Sequence, residues 1–267
     1  MIRRLKPMIL MSAISVAAVS SACSSNEEPA APPPQPTVER WSGLAQDVRQ
    51  RWTAASGIDL LRGPAVVVRA YTESYNLANI MGSTEYVYPG FDRAVAQDDR
   101  DGTGPRPDVT GPKADALIGN LLNSIVRVES AGRDVEAVVC HWYFAAGVVQ
   151  SDGSVSPYAP TSQPVLTRIS MTAPAPDDST HSAAQRGPLP APVDDVFGNW
   201  RVKKRDYASA DVPPGPDWPA YAADRDACVA AAPAPPEVRE ALITGKHTRA
   251  DYPTLPAEPG WPRASDQ

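Results

Sequence analysis

The side chains equipped to hold a metal, form a covalent intermediate or move a proton are few and widely spaced in this 267-residue chain. The histidines His141, His181 and His247 stand at no metal-ligand spacing. The sequence has no G-x-S-x-G elbow, no P-loop and no dinucleotide fingerprint, so no catalytic residue, metal or cofactor is assigned from motifs. Asp99-Arg100-Asp101-Gly102 partly matches a calcium loop, but Gln97 and Asp108 occupy positions that need an acid and a glutamate, which leaves a solvated loop. The remaining candidates to line a pocket are Tyr71, Tyr75, Tyr88, His141 and Trp142. A His or Tyr in such a pocket could act as general base or oxyanion donor. On apolar helix and strand faces, however, these residue types ordinarily belong to the core.

The three cysteines carry more information. Arg3, Arg4 and Lys6 precede the apolar run Met8 to Val19, a pattern of signal-peptide charge and hydrophobicity too short to span a bilayer permanently. The run ends in Ser20-Ser21-Ala22-Cys23, which resembles the bacterial lipobox, with Ser20 where leucine is usual. That resemblance implies lipidation at Cys23, by diacylglycerol and palmitate-type chains, and attachment to the extracytoplasmic face of the cell membrane. An ordinary signal cut after Ala22 would instead leave Cys23 as an odd thiol in an oxidising compartment. Cys140 and Cys228 then form the expected disulfide. Without residues 1–22 the chain keeps 22 basic against 31 acidic side chains, a balance that disfavours nucleic acid.

The elements that must position these residues follow from periodicity. Residues 23–36 read as a lipidated cysteine and Pro-rich tether. Trp41, Leu44, Ala45, Val48, Trp52 and Ala55 recur at helical spacing and predict a first helix. Gly63-Pro64 opens a second, with Val67, Ala70, Tyr71, Ser74, Leu77, Ala78 and Met81 on one stripe up to Gly82. Pro89-Gly90 predicts a turn into a short helix over 91–96. Alternation of period two then predicts four strands, at 123–129, 135–144, 165–172 and 197–206, the first two joined by a turn at Ala131 to Asp134. The second strand is apolar on both faces and should be central, with His141 and Trp142 pointing opposite ways. Arg127, Arg168 and Arg201 fall among apolar neighbours on these strands and could share one sheet face, either as charges keeping it solvated or as a dedicated anion site. Eleven prolines in residues 207–267 exclude long helices there, leaving short ones at 220–232 and 237–244.

This order predicts an α+β domain over residues 37–206, two or three N-terminal helices packed on a curved antiparallel sheet of about four strands, with the Pro-rich tail 207–267 packed on it. The arrangement is similar to the NTF2-like, cystatin-related cone. More narrowly, YTESYNLANIMGSTEYVYPGF, VVCHWYF and FGNWRV resemble secreted lipoproteins of high-GC actinobacteria over about residues 38–206. The resemblance implies a pocket between helices and sheet, not catalysis. Three functions are compatible with it: a non-catalytic envelope lipoprotein that binds an apolar small molecule or an envelope protein partner, a ketosteroid-isomerase or SnoaL-type enzyme using a pocket His or Tyr, and a purely structural or accessory envelope protein.

Overall fold

The computed structural model describes residues 39–97, 104–107, 109, 111, 115–177 and 183–264. The signal segment, Cys23, the tether, the Asp99 to Gly102 loop and His181 lie outside them. The described chain is α+β, with a seven-stranded sheet.

The first predicted helix is instead a single 3-10 turn, Gly43–Ala45, followed by strand β1, Asp47–Ala54. From Val48 the chain alternates, burying Val48, Gln50 and Trp52. A buried glutamine hid the period of two, because hydropathy scores it as solvent-facing. Strand β1 pairs in parallel with β2, Leu117–Ala131, and the crossover that parallel pairing requires contains helix α1, Gly63–Met81. Helix α1 starts at Gly63-Pro64 and ends at Gly82, whose left-handed φ of 64° lets its N–H return to the Ala78 carbonyl. Burial goes well past the predicted stripe, since Val66, Val68, Arg69, Thr72 and Glu73 are also covered. A helix buried nearly all round is a core element, not a lid on a cavity. Helix α2, Phe91–Ala94, is one turn set up by Pro89-Gly90.

Strand β3, Asp134–Trp142, forms a hairpin with β2 and lies between it and β6, Val165–Thr172. Two short strands escaped sequence analysis, β4, Ala146–Val149, and β5, Val155–Pro157. Each is too short to show alternation. The chain leaves β3 and pairs again with β2 as β4, where Gly119 at φ 92° comes so close to the Ala145 carbonyl that a Cβ would overlap it. Strand β7, Arg201–Ala208, pairs with β6 and is the far edge. The sheet thus has seven strands, not about four, and one long helix in place of two or three.

Alternation sorts the two faces. Leu121, Ile125, Val139, Ile169 and Met171 pack with helix α1, Phe91, Phe197 and Trp261. The opposite face carries Val138, Cys140, Trp142, Phe144 and Leu166 and is covered by the tail through Trp218 and Cys228. The Cys140–Cys228 disulfide fixes helix α3, Tyr221–Ala230, against β3. Helix α4, Pro236–Ile243, follows. The last stretch then returns to β1 and β2, where Trp52 N–H of β1 donates to the Glu258 carbonyl at 2.6 Å and Asn120 Nδ2 of β2 to the Pro253 carbonyl at 2.8 Å. The tail thereby covers an edge that would otherwise be open to another strand.

Candidate functional site

Three polar constellations stand out, and their accessibility separates structure from function. Glu73, only 2% exposed, sits mid-helix on α1. Its Oε1 accepts from Trp52 Nε1 at 2.7 Å, and its Oε2 from the Tyr88 hydroxyl and Trp261 Nε1 at 2.8 Å each. The Tyr88 oxygen in turn accepts from Trp41 Nε1 at 2.9 Å. Burial pushes the Glu73 carboxyl upward, while Arg69 one turn earlier pulls it down. Arg69 is fully buried, lies 4.2 Å from the Trp261 ring and donates to the carbonyls of Leu60, Gln185, Pro259 and Gly260. All of Glu73's donors are protein groups, and no described cavity reaches it. It is a clasp that ties the N-terminal segment, β1 and the tail to α1.

The second constellation is a polar row across four strands on the helix-facing side. Asn123 Nδ2 donates to Gln50 Oε1 at 2.7 Å, and Asn123 Oδ1 lies 2.8 Å from His141 Nδ1. His141 Nε2 lies 2.8 Å from the Thr167 hydroxyl. The amide oxygen only accepts, so Nδ1 carries the proton and Nε2 accepts from Thr167. Burial lowers the His141 pKa to about 3. At 2% exposure and with both ring nitrogens engaged by Asn123 and Thr167, His141 is a committed member of the strand row. Its contribution to stability is present above the ordinary histidine pKa of about 6.5 and is lost as pH falls from there toward 3, because the unfolded chain takes up the proton first. We expect His141→Gln to remove up to about 1.4 kcal/mol per pH unit from the slope of unfolding free energy across that window. Urea denaturation at a series of pH values checks this, and parallel slopes for the two proteins would contradict it.

On the opposite face the strand arginines are neutralised. Arg127 meets Asp224 of α3 through two 2.8 Å bonds and Glu136 at 2.9 Å. Arg168 meets Asp206 at 2.7 Å and the Asp217 carbonyl at 2.6 Å. Asp224 also accepts from Trp218 Nε1 at 2.7 Å. Arg201 is exposed at the start of β7 and donates to the Trp200 carbonyl. Arg127 and Arg168 thus hold the tail on the sheet instead of solvating an open face.

The third constellation is accessible. Arg205 and Tyr207 are two residues apart on β7, so they share the helix-facing side, opposite Ile169 and Thr167 of β6. Tyr75, on the C-terminal half of α1, lies over this pair. The Arg205 guanidinium is 4.2 Å from the Tyr75 ring and 5.4 Å from that of Tyr207. Tyr143 shares the face with His141, against which it stacks, and meets Tyr158 edge to face at 5.5 Å. Burial raises the pKa of Tyr143, which also feels Tyr158, Arg205, Tyr207 and Tyr75. A groove of about 460 Å³ runs here along the β7 edge, lined by Tyr75, Arg205 and Tyr207 and faced by Val212 and Pro216. Lys204, Asp206 and Asp217 also line it, but they pair with one another, Lys204 lying 3.1 and 3.5 Å from the two carboxylates. Among the described residues, Arg205 has neither a carboxylate partner nor a hydrogen bond, and the hydroxyls of Tyr75, Tyr143, Tyr158 and Tyr207 are likewise without protein partners.

The structure therefore distributes the five expected pocket residues. Tyr75 lines the groove. Neighbouring Tyr71 is committed to the core, its hydroxyl bonded to the Pro105 carbonyl at 2.5 Å. Tyr88 belongs to the Glu73 clasp, His141 to the strand row, and Trp142 to the tail-covered face beside the disulfide. Sequence reasoning missed Glu73, Tyr143, Tyr158, Arg205 and Tyr207. The alternation of Arg205 and Tyr207 on the last strand was the available signal. Among the described residues no group of three or more His, Cys, Asp or Glu side chains could hold a metal ion, and no helix is long and apolar enough to cross a membrane. Comparison of the chain with protein-family models, curated proteins and solved structures finds no match.

Proposed function

We propose that this protein is a lipid-anchored envelope lipoprotein whose folded domain is a non-catalytic binding module, and that its ligand site is the tyrosine and arginine groove on the β7 edge. The observation carrying this reading is an unpaired guanidinium on tyrosine rings in an accessible groove. Its volume falls in the range of about 300–1,000 Å³ typical of small-molecule sites. The sealing of His141 favours binding over base catalysis, since a general base must come within hydrogen-bond reach of the proton it takes. Attachment through Cys23 to the extracytoplasmic membrane face rests on the charged and apolar N-terminus and its lipobox-like end. A disulfide buried in the fold suits an exported protein.

Mass spectrometry of the membrane-extracted native protein tests both halves of the proposal. Under denaturing conditions we expect acyl mass on Cys23 and a deficit of about two daltons for the disulfide. Native conditions should add a small-molecule mass that Tyr207→Leu removes. A soluble product with unmodified Cys23 would overturn the anchor. Occupancy unchanged by Tyr207→Leu would overturn the site.

A further inference from the structure

We infer that the β7 groove takes a ligand combining a flat ring with an oxyanion, the ring lying on tyrosine and the oxyanion meeting Arg205 edge-on. The inference rests on the groove being the binding site and adds the ligand's chemistry. The Arg205 guanidinium carbon lies over the Tyr75 ring, 4.2 Å from its centroid, and 5.4 Å from that of Tyr207, so the cation is held against aromatic faces. Its N–H donors lie in the group's own plane and carry no hydrogen bond among the described residues. An in-plane fork of donors matches a carboxylate or phosphate, which accepts two parallel bonds.

The surrounding charge does not cancel this preference. The nearby carboxylates of Asp206 and Asp217 are held by Arg168 and Lys204, so the positive charge of Arg205 is the one not answered by a salt bridge within the groove. Contrast with Arg127 and Arg168 is informative: those arginines reach carboxylates within 3 Å, whereas Arg205 is held by rings alone. Tyr207 is well exposed and free to accept a second ring, and Tyr158 and Tyr143 continue the aromatic surface toward β5. Rings offer binding area at little entropic cost because each tyrosine has only two rotatable side-chain bonds. A small molecule suits the groove better than an added strand, because Lys203 and Lys204 mark β7 as an edge that resists strand pairing.

Calorimetry and saturation-transfer NMR on the full chain, using 2-naphthoate, 2-naphthyl phosphate and neutral 2-naphthamide, test the inference. We expect at least one anion to bind about tenfold or more tightly than the amide, the better of the two distinguishing a carboxylate from a phosphate source. Arg205→Gln should lower anion affinity about 10- to 100-fold and so close the gap between the anions and the amide, with far-ultraviolet circular dichroism reporting that the variant is folded. Tyr207→Leu should weaken all three probes. An amide that binds as tightly as the anions, or anion binding unmoved in Arg205→Gln, overturns the oxyanion inference while the groove stands if Tyr207→Leu still weakens binding. Failure of every probe to bind overturns the inference and the groove together.

Discussion

Replacing Glu73 by leucine is expected to destabilise the fold by about 3–5 kcal/mol, because it removes the acceptor at the centre of a buried hydrogen-bond network. The carboxylate accepts from Trp52, Tyr88 and Trp261, and leucine would leave all three donors without their partner. Each orphaned buried donor costs about 1–3 kcal/mol, offset where local relaxation brings in water. The substitution would also remove the carboxyl that acts most strongly on the buried guanidinium of Arg69. Glu73→Gln should lose less, because the amide oxygen keeps an acceptor while the amide nitrogen faces donors. Urea unfolding followed by tryptophan fluorescence measures both, since Trp41, Trp52 and Trp261 report from the clasp. A loss below about 1 kcal/mol for leucine would be that of an ordinary surface exchange and would show that the carboxylate does not hold the tail.

The double substitution Cys140→Ala with Cys228→Ala should cost about 4–5 kcal/mol, the loop-closure entropy of an 88-residue separation. The effect should also be local. Helix α3 carries Asp224, which neutralises Arg127 and accepts from Trp218, so loosening α3 exposes a charged pair and an aromatic contact together. Hydrogen exchange should therefore accelerate first in α3, ahead of the β2–β3 hairpin. Exchange that accelerates uniformly would place the tail in the same cooperative unit as the sheet, independent of the bond.

Caps and alternation made several elements legible. The bounds of α1 could be read because Gly63-Pro64 and Gly82 act locally. Strands β3 and β6 could be read because their apolar positions repeat with period two, as could the two short tail helices between prolines. Strand β1 was misread because Trp41, Leu44, Ala45 and Val48 fit a helical stripe, while the residue that reveals the strand is a buried glutamine. Gln50 is tolerated inside only because Asn123 donates to it from β2, a partner 73 residues away. The candidate site was less legible still. Tyr75 was identified, but Arg205 looked like any strand charge, while Arg127 and Arg168 looked equally open.

By itself the sequence determined the α+β character, the extent of its main helix, the hairpin and the cysteine pair available for a disulfide. These depend on capping, turn chemistry, short-range periodicity and a count of three cysteines. Tertiary structure alone decided which charges are answered. Asp224 reaches Arg127 across 97 positions and Trp261 reaches Glu73 across 188, and no local pattern encodes either meeting. Whether an arginine is a structural tie or an open binding group depends on which carboxylates the fold brings within about 4 Å, because Coulomb attraction and hydrogen bonding act through space and not along the chain. That is why Arg205, unremarkable as a letter in the last strand, becomes the group on which the proposed binding depends.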